Sequence, residues 1–73
     1  MKNFKLFDVV ALTGDLPAEN LSSGQVGTIV EVYNDGEAFE VEFVNAKGET
    51  YGLLTLYPEQ LMVLHYEPVK VAA

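Results

Sequence analysis

Three carboxylates, Glu31, Glu40 and Glu42, fall within GQVGTIVEVYNDGEAFEVEF, residues 24–43. Carboxylates in such proximity can serve as general acids and bases or bind a cation. Residues 31–42 even echo the end of an EF-hand loop, with Asp35-Gly36 followed six residues later by Glu42. The rest of that pattern fails: Glu31 stands at the first ligand position, Tyr33 at the third, and the flanks alternate as strands do. Nucleophilic chemistry has equally little to draw on. His65 is the single histidine, there is no cysteine, and Ser22 and Ser23 lie in a glycine-containing loop with no base beside them. No catalytic residue, metal ligand or cofactor is assigned, and the protein is expected not to be an enzyme. What remains is a strip of Ile29, Glu31, Tyr33, Glu40 and Glu42, whose use depends on the elements that carry it.

Eleven acidic side chains against four basic ones give a formal net charge of −7. That charge opposes nucleic acid, whose phosphates are neutralised by clustered Lys and Arg, so no DNA or RNA partner is expected. It favours solubility, or a basic protein partner. No window approaches the roughly 18 apolar residues of a membrane helix. The opening MKNFKLFDVVAL is interrupted by Asp8 and leads into no cleavage-type sequence, so a cytoplasmic protein without membrane contact is expected. Seventy-three residues suffice for one domain, which buries only about 60% of the surface its unfolded chain exposes. Without cysteine it is held by packing alone.

Apolar residues alternate with a period of two, and Gly, Asn and Asp punctuate the chain at short intervals, which predicts an all-β domain over residues 1–66. The tail, residues 67–73, contains Pro68 and is predicted to be flexible. A first strand is predicted over Phe7–Leu12, then a loop over Thr13–Gly24 from which Leu16 and Leu21 fold back onto the core. Asp35-Gly36 predicts a two-residue type I′ hairpin. The resulting register sets Val32 against Phe39, Val30 against Val41 and Thr28 against Phe43. It buries Val30, Val32, Phe39, Val41 and Phe43 and leaves the acidic strip outside. The register slipped by one sets Glu31 against Phe39 and Val30 against Glu40, and is rejected unless a bulge corrects it. A second hairpin turns at Asn45–Gly48. Strand four, about Thr50–Leu56, faces inward through Gly52, Leu54 and Leu56 or through Tyr51, Leu53 and Thr55, according to whether Gly48 forms a bulge. Pro58 opens a single 3-10 turn, and Met62–Leu64 forms the last strand.

Five short antiparallel strands, a long first loop and a one-turn 3-10 helix before the last strand resemble a small SH3-like barrel. GQVGTIVEVY resembles the Gly-x-x-Gly-x-Val strand entry of KOW-type barrels. The wider set FKLFDVVALTGDLP, GQVGTIVEVYNDGEAFEVEFV and YGLLTLYPEQLMVL is similar to a small bacterial family, well represented in cyanobacteria and catalogued as domain of unknown function 4926. The resemblance runs over about residues 4–65 and implies a fold, but neither an activity nor site residues.

The strip admits two explanations. In the chosen register Glu31 opposes Glu40, with Glu42 one pair further on beside Ile29. Like charges across a ladder cost on the order of 0.2–1 kcal/mol. A solvated sheet face that discourages aggregation would tolerate this, and a surface that docks a Lys- or Arg-rich protein would use it. A noncatalytic interaction module is therefore expected, one version being a protein that masks a basic toxin surface. A structural subunit of a larger complex, such as a photosynthetic electron-transfer assembly, is the alternative, and a KOW-like RNA-binding barrel a further one. Proline-peptide binding requires an aromatic groove. The chain has no Trp, and Tyr33, Tyr51, Tyr57 and Tyr66 are expected at buried edges.

Overall fold

A computed structural model describes residues 4–65 and residue 68, so the predicted tail lies, apart from Pro68, outside the described residues. The strands are β1 (Val9–Leu12), β2 (Val26–Tyr33), β3 (Ala38–Val44), β4 (Thr50–Leu56) and β5 (Leu61–Val63). They form one antiparallel sheet in the order β4-β3-β2-β1-β5. Single 3-10 turns occupy Pro58–Gln60, as predicted, and Pro17–Glu19, which was not predicted. The Pro58 turn is fixed by two hydrogen bonds: Tyr57 N–H donates to Gln60 Oε1 (2.9 Å), and Gln60 N–H donates to the Tyr57 carbonyl (2.9 Å). Thr13 N–H reaches the Gln60 carbonyl at 3.0 Å and anchors that turn to the end of β1.

The core is built from Val10, Leu12, Leu21, Ile29, Phe39, Val41, Phe43, Leu56 and Leu61, all buried. Leu16 packs against it and pairs with Leu21, so the first loop does fold back through its two leucines. Strand four resolves to Gly52, Leu54 and Leu56 inward. The bulge that sets this facing lies between Phe43 and Val44, with Tyr51 as the extra residue.

The β2–β3 ladder uses both of the registers weighed above. Next to the turn, Tyr33 pairs with Ala38, Val32 with Phe39 and Glu31 with Glu40. A bulge at Val30 then shifts the ladder by one, so that Ile29 pairs with Val41 and Thr28 with Glu42. This corrects the predicted Val30–Val41 and Thr28–Phe43 pairs. Beyond the bulge Ile29 is fully buried, Val30 is half-buried, and the Thr28 hydroxyl stays out of the core. Gly27 also turns inward there. A Cβ on it would lie 2.7 Å from Val41 Cγ1 and 2.9 Å from the Glu42 carbonyl oxygen, so only glycine lets the strands approach this closely. The turn itself sits one residue earlier than predicted: Asn34 (φ 48°) and Asp35 (φ 58°) form the positive-φ pair, Gly36 (φ 104°) follows, and Gly36 N–H donates to the Tyr33 carbonyl at 3.0 Å.

β1 begins at Val9, two residues later than predicted, because Lys5–Asp8 form a turn. Asp8 N–H donates to the Lys5 carbonyl (3.0 Å), and Lys5 N–H to Asp8 Oδ2 (2.9 Å). Phe7 N–H donates to the Ile29 carbonyl and Ile29 N–H to the Asp8 carbonyl, so two residues oppose one. Phe7 holds φ at 72° in this bulge, a conformation for which both turn and bulge favour glycine.

Candidate functional site

The outward face of β2, β3 and β4 carries the acidic strip in rows fixed by the register. Glu31, Glu40 and Thr55 form one row, each directly opposite the next. Thr28, Glu42 and Leu53 form the row beside it. Alternation on β3, which has no bulge between these residues, keeps Glu40 and Glu42 on one face while Phe39, Val41 and Phe43 fill the core. Of the five strip residues predicted, Glu31, Tyr33, Glu40 and Glu42 are on this face. Ile29 is not: the Val30 bulge turns it into the core, and Thr28 takes its place beside Glu42.

Two threonines on β4 bind the carboxylates. Thr55 Oγ1 donates to Glu40 Oε1 and Thr50 Oγ1 to Glu42 Oε2, both at 2.7 Å. The Tyr33 hydroxyl reaches Glu40 Oε1 at 3.5 Å, a long contact. The phenol of Tyr33 is raised above its ordinary pKa, first by desolvation, then by the negative charges of Glu40 and Glu31 and the hydrogen bond to Glu40. Thr50, Thr55 and Leu53 are site residues that the sequence reading left out. The signal for them was the Gly52, Leu54, Leu56 alternative for β4, which places Leu53 and Thr55 on the outer face.

The other chemical candidates do not assemble. Among the described residues no group of three or more His, Cys, Asp or Glu side chains is placed to hold a metal ion. Ser23 Oγ donates to the Thr13 carbonyl, and its N–H binds Asp15 Oδ1, so this serine organises the first loop. His65 is exposed just beyond β5. Tyr33 is exposed, as its place on the strip requires, and Tyr51 and Tyr57 are exposed too, contrary to the buried-edge expectation. Tyr51 leans on Phe43, ring centroids 6.2 Å apart, and its hydroxyl accepts from Gln25 Nε2. Tyr66 lies outside the described residues. No helix among the described residues is long and apolar enough to cross a membrane.

No curated protein and no solved structure matches the chain. Residues 6–63, from the Lys5–Asp8 turn through β5, match the family described as domain of unknown function DUF4926, and the protein belongs to that family.

Proposed function

We propose that the protein is a noncatalytic protein-interaction module, with an SH3-like barrel presenting Glu31, Tyr33, Glu40 and Glu42 to a basic protein. Strand order, the 3-10 turn between β4 and β5, and the close approach at Gly27 support the barrel. The observation that carries the function is the direct pairing of Glu31 with Glu40, with Glu42 next along the face. Charges that merely protect against edge-to-edge aggregation belong on edge strands, and these stand on β2 and β3, inside the sheet. A like-charge pair on interior strands costs stability that a cationic partner restores.

The test is capture from source lysate by the tagged protein and by a Glu31→Gln/Glu40→Gln/Glu42→Gln variant. A basic protein retained at low salt, released when the Debye length falls to about 3 Å near 1 M salt, and not retained by the variant is the expected result. Recovery of the same proteins by both forms counts against the acidic face. A second reading, a subunit of a larger assembly, draws on exposed apolar side chains such as Phe7 (69%), Leu53 (56%) and Met62 (54%). Migration in native lysate only at the size of a free monomer or small oligomer would rule it out.

A further inference from the structure

The two edges of the sheet differ. β5 is three residues long, and short edges recruit other strands poorly. β4 is seven residues long, and its Gly52–Leu56 segment carries no charge, no proline and no bulge. Among the described residues β4 is paired on one side only, by β3, and no turn or loop backbone bonds to residues 50–56. Its alternate N–H and C=O groups therefore point away from the sheet. Gly52 and Leu54, although they face inward, are only half-buried, so the core is thinly covered along this edge.

Two hydrogen bonds indicate what fits there. Thr55 and Thr50 draw the carboxylates of Glu40 and Glu42 from β3 toward β4. Strands lie about 4.8 Å apart, so a strand added beyond β4 would stand about 10 Å from β3. Lys or Arg side chains on its outer face would reach those carboxylates across Leu53 and Thr55.

We propose that the β4 edge receives an extended segment of a partner protein by strand addition, with Lys or Arg at alternate positions meeting Glu40 and Glu42. This rests on the docking function above and adds the partner's backbone conformation and spacing of charge. A second copy of this chain fits poorly, since each copy carries −7 and would bring its own carboxylates to the same face.

The probe is an eight-residue peptide alternating lysine and valine, titrated into isotopically labelled protein at low salt. Binding is expected to slow amide exchange at alternate residues of Gly52–Leu56. Two further peptides carry N-methyl groups on the lysine nitrogens or on the valine nitrogens. An added strand bonds through only one alternate set, so one methylated peptide loses at least about tenfold in affinity, as several missing backbone hydrogen bonds require, and the other stays near the parent. Equal affinity of the two methylated peptides overturns strand addition. If the parent peptide is then still weakened by Glu40→Gln/Glu42→Gln, acidic-face docking stands without it. Absence of parent binding at low salt overturns both.

Discussion

The halves of the β2–β3 ladder on either side of Val30 solve one packing problem in two registers. On the turn side the strands pair as a regular hairpin, Val32 with Phe39 inside and Glu31 with Glu40 outside. On the β1 side the ladder has slipped by one, so Ile29 and Gly27 go inward and Thr28 outward. A single slip through the whole ladder would have buried carboxylates, and no slip at all would have buried the Thr28 hydroxyl. One extra residue avoids both. Ile29 is held from two sides: Val30 bulges beside it toward β3, and Phe7-Asp8 bulge opposite it on the β1 side.

Truncating the two neighbours at the bulge separates the two registers most strongly. Ile29→Ala removes a fully buried side chain and should cost about 3 kcal/mol, whereas half-buried Val30→Ala should cost about 1 kcal/mol or less. Urea denaturation reads both, and the reverse order would restore a single register throughout. Gly27→Ala comes next. Its Cβ meets backbone as well as side chain, so a loss of about 2 kcal/mol is expected, visible as a lower urea midpoint. An unchanged midpoint would mean that the strands are not so close.

Phe7→Gly tests the opposing bulge with the opposite sign. The side chain is largely exposed and φ is 72°, so relief of the left-handed strain should stabilise the fold by about 1 kcal/mol. Destabilisation would show that the Phe7 ring contributes packing. The smallest effect belongs to the turn-side half. Glu31→Gln should stabilise by a few tenths of a kcal/mol up to about 1 kcal/mol by removing the like-charge pair with Glu40. In the same half, the Tyr33 phenol keeps its proton above the ordinary value of about 10. Its folded pKa is raised, so its contribution to stability is complete below pH 10 and is lost as pH climbs through the raised value. Absorbance titration should show its ionisation moving to lower pH in Glu40→Gln.

The turn-side half was legible because polar residues punctuate it: Glu31, Glu40 and Glu42 tolerate only one face, so pairing next to the turn was determined. Beyond Val30 that information runs out, since Ile29 and Val30 are both apolar and either can face the core. Thr28 and Gly27 held the missing signal, a hydroxyl that should stay outside and a glycine marking close backbone approach. Five strands, two hairpins and the Pro58 turn followed from alternation and turn residues alone. The Lys5–Asp8 turn did not, because no glycine marks its positive φ. On the site, Ile29 was misplaced with the register, and Thr50 and Thr55 were missed because β4 alone could be read with either face inward.

The pairing of Val10 with Val63 carries a consequence for how the domain can be joined to others. The chain enters β1 and leaves β5 side by side, so everything from the first loop through the second 3-10 turn is one closed excursion from a two-stranded stem. Such a unit suits insertion into a surface loop of a host protein, provided that Phe4–Asp8 are kept with it, since Phe7 and Asp8 bond to Ile29 and the Phe4 ring lies 5.1 Å from that of Phe39.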